Sequence, residues 1–202
     1  MAHEYLPRFS IPLAPNTKFT RPAQPPPSPD LLHLYDSAMH VMTDFHYATP
    51  RTVTGEVQID AALEQMQAAG VRLLLVIDDD DNVIGIITTK DIQGEKPIRL
   101  TEQTRISRAD MKVSEIMTPQ PDIPVLPMLS VRDAQIGHIV ETLNTLERQH
   151  VLVVDTEPES GAQTVRGVFS TSQISKQLHA DVTPDLAAAH SLLEMVHDVT
   201  HD

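Results

Sequence analysis

Gly85-Ile86-Ile87-Thr88-Thr89-Lys90-Asp91 is the stretch on which the reading of the fold turns. It follows the apolar run Leu73-Leu74-Leu75-Val76-Ile77 and the acidic turn Asp78-Asp79-Asp80-Asp81-Asn82, so it is predicted as the second strand of a hairpin that runs into a helix. A weaker copy lies downstream, where Val151-Leu152-Val153-Val154-Asp155 leads to Gly167-Val168-Phe169-Ser170-Thr171-Ser172-Gln173. An internal repeat of this kind implies one supersecondary unit used twice, each copy burying a face against the other.

Composition bounds the rest. At 202 residues and 41% hydrophobic content the chain can hold one generous domain or two small ones around a real core. No apolar stretch is long enough for a membrane span or signal peptide, so a cytoplasmic protein is expected. The absence of cysteine excludes disulfides and thiolate metal sites. A formal charge of -13 repels nucleic acid and acidic membranes at long range, so neither is expected as a partner; a small anion needs local groups that overcome that field.

Residues 1 to 33 form a proline-rich arm, with eight of the sixteen prolines in the first thirty positions. Two readings stand for it: a disordered leader that the core can lose, or an arm draped over the domain or a partner through Tyr5, Leu6, Phe9, Ile11, Leu13 and Phe19. Asp30 is a candidate cap for a short helix through Leu31, Leu34 and Met39. The first repeat, 34 to 93, holds a short strand at Thr52-Val53 and a helix from Ile59 to Ala69 stopped by Gly70. Residues 94 to 112 are a solvated connector rich in cations (Lys96, Arg99, Arg105, Arg108, Lys112), where a ligand's phosphates are the alternative reason for the charge. The second repeat, 113 to 179, opens with Val113-Ser114-Glu115-Ile116-Met117-Thr118-Pro119. Val125-Leu126 stands where Thr52-Val53 stood, and Ser130 with Asp133 is the candidate cap of a helix through Ile136, Ile139, Val140, Leu143 and Leu146. That helix and the hairpin after it are both expected to be longer than in the first copy. A C-terminal helix, 180 to 202, starts at Thr183-Pro184, and its face of Leu186, Ala189, Leu193 and Val196 asks for an apolar partner.

The order strand, helix, strand, strand, helix, used twice with Ile116-Met117-Thr118-Pro119 at the second opening, resembles a tandem pair of cystathionine-beta-synthase (CBS) domains over roughly Val41 to Leu178. The resemblance implies an α+β fold, α/β-like, with pseudo-two-fold symmetry, short sheets packed with helices and two clefts. It also implies frequent dimerisation, regulation without catalysis, and adenosine-containing ligands such as AMP, ADP, ATP or S-adenosylmethionine. No cofactor is required. A homodimer and a further protein partner of unknown identity are expected.

The motif has its own chemistry. Gly85 lets a ligand or a neighbouring backbone come close. Thr88 stands at a helix start among amide groups that suit a phosphate oxygen. Asp91 shares the face of that first turn and can accept hydrogen bonds from both hydroxyls of a ribose; the resemblance assigns the same phosphate and ribose contacts to Thr88 and Asp91. Thr-x-x-acid is equally a capping box that needs no ligand. In the second copy Gly167, Ser170 and Gln173 keep the capping pattern and lose the carboxylate, which makes theirs the weaker site. Arg51 and Lys90 are candidates to balance phosphates, and Val53 and Ile87 to flank a purine. Asp78 to Asp81 reads as a solvated turn, lacking the spacing of a calcium loop, and His197 with His201 as a surface pair, so no metal is expected. Neither a nucleophile elbow nor a P-loop occurs. Two rivals remain to a ligand-sensing module: an interaction scaffold without ligand, and an enzyme with a dimer-cleft active site.

Overall fold

In the computed structural model the described residues are 6–20 and 32–179; the Asp30 cap, the helix from Thr183 and the His197/His201 pair lie outside them. The first repeat is built on β4 (Thr52–Thr54), α1 (Ile59–Ala69), β5 (Leu73–Ile77), β6 (Val83–Thr88) and α2 (Thr89–Gln93). The second uses β8 (Pro124–Pro127), α6 (Ile136–Thr145), β9 (His150–Thr156), β10 (Gln163–Ser170) and α7 (Thr171–Leu178). In both, the first two strands are parallel and the hairpin antiparallel, with Val53 opposite Val76 and Leu126 opposite Val153. This is the α+β architecture expected.

α1 ends where Gly70 takes φ 64°, a left-handed cap that a side chain resists. The acidic turn is held by Asp78, whose carboxylate accepts from the backbone N–H groups of Asp80 and Asn82 and from the Asn82 amide; those bonds keep its pKa below the usual carboxylate value. Three apolar clusters make the core. One packs α1 and α2 on the first sheet around Ile59, Met66 and Ile92, and one packs α6 and α7 on the second around Ile139, Phe169 and Ile174. The third, including Leu73, Ile86, Leu152 and Val165, lies between the two sheets.

The lead-in strands are exchanged. β3 (Thr43–Asp44) precedes the first repeat and pairs with β10 of the second, whereas β7 (Thr118–Pro119) precedes the second and pairs with β6 of the first. Both land beside the motif glycine, Gly167 opposite Asp44 and Gly85 opposite Pro119.

Several expectations are corrected. The helix of the second repeat, at 10 residues against 11, is not the longer one. The extra length precedes it: from the end of the first strand to the helix is nine positions (Pro127 to Ile136) against five (Thr54 to Ile59), and α5 (Met128–Arg132) fills the difference. Ser130 therefore sits inside α5, and α6 is capped by Gln135, whose N–H donates to His138 Nδ1 at 3.0 Å. The hairpin of the second repeat is longer, as expected, and its extension receives the arm. The leader reading fails for residues 6–20: β1 (Ile11–Pro12) pairs with β8, β2 (Lys18–Phe19) pairs with β10, and Leu13 is buried between the sheets. Prolines are tolerated there because β1 and β2 are short edge strands. Nor is the connector merely solvated. It forms α3 (Lys96–Thr104), buries Met111, and through α4 (Val113–Ile116) enters the second repeat.

Candidate functional site

Two clefts flank the boundary between the repeats, and each takes residues from both. Thr88, the cap of α2, lies across the strand pair from Leu73, and Ser170, the cap of α7, lies across from His150. Leu73 and His150 thus hold equivalent positions. The first cleft, of about 620 Å³, joins Thr88, Lys90 and Asp91 to Arg148, Gln149 and His150 of the second repeat. The second, of about 470 Å³, joins Ser170, Ser172 and Gln173 to Arg51, Arg72 and Leu73 of the first. Both volumes suit a small-molecule ligand.

Thr88 and Asp91 close the reciprocal capping box. The Thr88 N–H and hydroxyl both donate to Asp91 Oδ2, at 2.9 and 2.6 Å, and the Asp91 N–H donates to Thr88 Oγ1 at 3.2 Å. The other carboxylate oxygen, Oδ1, is 2.6 Å from Lys96 Nζ. Asp91 is therefore fully engaged, yet it faces the first cleft, and the half-exposed Lys96 lines the same cleft. Arg99 also lines it and pairs with Glu95 at 2.5 Å. Of the other connector cations, Arg108 is tied to Asp60 and Lys112 to Glu56, which leaves Lys96 and Arg99 as the connector's contribution to the site.

The sequence-predicted residues are not all brought together. Arg51 lines the second cleft, not the first, because it precedes a first-repeat strand that runs up beside Arg72. Val53 and Ile87 are buried in the first repeat's core and line neither of these two clefts. Gly85 and Gly167 line neither: a Cβ on Gly85 would stand 2.9 Å from Thr118 O and 2.6 Å from Met117 Sδ, and one on Gly167 would stand 2.7 Å from Thr43 O. Of the two readings of that glycine, the neighbouring backbone is the one observed. In the second copy Ser170 Oγ accepts from the Gln173 N–H at 3.4 Å, without the return bond of a capping box.

Arg72, Arg148, Lys176 and His150 were missed in the sequence. They become visible only once the strand registers superpose the two repeats. His150 lines both clefts. Burial, assisted by the Arg72 charge and opposed by Asp91, pushes its pKa down to about 4, so the imidazole is neutral at pH 7. Among the described residues no cluster of His, Asp or Glu fit to hold a metal ion occurs, and no helix is long and apolar enough to cross a membrane.

Paired repeats, exchanged lead-in strands and two inter-repeat clefts define a tandem CBS-domain architecture. Residues 38–95 match the family model of the CBS domain. The conserved CBS-domain protein of Thermoplasma acidophilum, itself of unknown function, has a similar structure (TM-score 0.53, 18% identity, 77% of this chain and 76% of that one). So do a protein of Methanocaldococcus jannaschii (TM-score 0.51, 22% identity, 71% of this chain and 50% of that one) and an uncharacterized conserved protein of Pyrococcus horikoshii (TM-score 0.50, 20% identity, 72% and 93%). No curated protein matches the chain. The family match is confined to residues 38–95, and over the second repeat the likeness to these structures is one of fold.

Proposed function

We propose that this protein is a regulatory, non-catalytic module that binds an adenosine-containing ligand, of the AMP, ADP, ATP or S-adenosylmethionine type, in the first cleft. The observation that carries the reading is the convergence there of Asp91, Lys96 and Arg148 across the repeat boundary. A ribose diol needs an acceptor, which Asp91 supplies through Oδ1 once Lys96 turns from it to a phosphate; Lys90 and Arg99 stand beside the same space. Occupation would tie the two repeats together, and the output would pass through a cytoplasmic homodimer or a protein partner. Sedimentation at micromolar concentration is expected to give a two-fold dimer, and a monomer would remove that route.

Calorimetry with AMP, ADP, ATP, NAD and S-adenosylmethionine tests the ligand. Asp91→Asn should weaken the ligand that binds by about 1.5 to 3 kcal/mol, roughly tenfold to a hundredfold or more, because a charge-assisted pair of hydrogen bonds is lost. The capping box and its Lys96 partner favour a second reading, a scaffold in which Asp91 is structural only. That reading wins if no ligand shifts the melting temperature, or if Asp91→Asn binds as tightly as the parent while losing about 1 kcal/mol of stability, a typical cap.

A further inference from the structure

The two clefts differ in charge at equivalent positions. Superposing Thr88 on Ser170 places Asp91 on Gln173 and Gly94 on Lys176, and superposing β4 on β8 places Arg51 on Pro124. Where the first cleft has the acid Asp91 the second has the amide Gln173, and where the first has Gly94 the second has Lys176; Arg51 lines the second cleft, whereas its counterpart Pro124 does not line the first. Among the described residues the second cleft is lined by Arg51, Arg72 and Lys176 and by no Asp or Glu, in a chain whose formal charge is -13. The acid nearest in sequence to its lining, Asp44, is withdrawn: both its oxygens take 2.8 Å hydrogen bonds from Arg166. Among the described residues the side chains of Arg51, Arg72 and Lys176 make no ion pair. Thr49, Ser170 and Ser172 add hydroxyl donors around the same space.

We propose that the second cleft is an oligophosphate site, one that reads the charge and oxygen geometry of a phosphate chain and not a nucleoside. Two guanidinium groups and an ammonium around one cavity match a chain of phosphate oxygens, since guanidinium bonds such oxygens in a bidentate fork. Among the described residues a ribose finds no carboxylate there. Local concentration of positive charge against an acidic background also steers an anion to this cleft, and that attraction falls steeply with salt.

Titration calorimetry of the full chain with inorganic tripolyphosphate, pyrophosphate and adenosine, at low and at physiological salt, is the test. Tripolyphosphate should bind more tightly than pyrophosphate, and adenosine should not compete. Arg51→Gln with Arg72→Gln should weaken tripolyphosphate at least tenfold, and Arg99→Gln with Arg148→Gln, in the first cleft, should weaken it far less. Both pairs sit on exposed side chains, and an unchanged melting temperature checks that each variant is folded. The proposal is overturned if the first-cleft pair causes the larger loss, if both pairs cause equal losses, or if adenosine displaces the phosphate chain. Because the two phosphate probes carry no nucleoside, the ranking of the variant pairs is independent of whether an adenosine ligand occupies the first cleft.

Discussion

Gly85 and Gly167 each receive the backbone of a lead-in strand, and each is preceded by a residue, Ile84 or Arg166, that breaks the hairpin register. The side chains that press on the two glycines are also equivalent, Met117 on the first and Met42 on the second. Replacing either glycine by alanine should therefore cost stability, by about 1 to 3 kcal/mol as for other overpacked sites, with the rigid carbonyls of Thr118 and Thr43 resisting more than the methionines. Denaturant midpoints measure the effect, and equal losses for Gly85→Ala and Gly167→Ala are expected from the equal geometry. A ligand role for Gly85 would show the reverse pattern, with affinity lost and the midpoint unchanged.

The arm is the element whose role the sequence hid. Its residues 11–19 pair with β8 and β10, on either side of β9, and its turn reaches the first repeat, where the Val83 N–H donates to Thr17 O at 2.8 Å. Proline density argued against hydrogen-bonded structure, yet two strands of two residues each need few donors, and the side chain of Gln163 supplies an acceptor for the Ala14 N–H. Leu13, buried in the cluster between the sheets, is the anchor. Leu13→Ala should cost about 2 to 4 kcal/mol by leaving a cavity, and deletion of residues 1 to 20 should lower the melting temperature well beyond a few degrees. A truncated protein that melts with the parent would return the arm to the status of a leader. By contrast α1, its Gly70 stop and the β5–β6 hairpin were legible because they are local: helical periodicity and turn chemistry lie within a few residues. The clefts were legible by half. Thr88 and Asp91 announce themselves as a motif, whereas Arg72 and Arg148 reach their clefts only through the pseudo-two-fold packing of two repeats, which no local pattern encodes.

At the scale of the molecule, the pseudo-symmetry is broken where it matters for proton binding. The positions opposite the two helix caps are Leu73 and His150, and both adjoin a small gap between the sheets. An apolar residue suits that place, and the imidazole accepts it by staying neutral: its pKa of about 4 lies below the ordinary 6.5. Between those values the unfolded chain binds the proton and the folded chain does not, so the stabilisation is complete above pH 6.5 and is lost as pH falls toward 4. The full shift corresponds to roughly 3 kcal/mol, and discounting for solvent at the cleft mouths leaves about 2. His138, whose pKa is lowered by burial and by Arg8, adds loss of the same sign from a different site. The comparison must therefore be made within one background. His150→Leu, which restores the residue of the equivalent position, should flatten the fall in unfolding free energy between pH 7 and about 4.5 by that amount while leaving the His138 contribution in place. Parallel pH profiles for parent and variant would mean that the imidazole titrates normally and that the boundary between the repeats is wetter than its packing indicates.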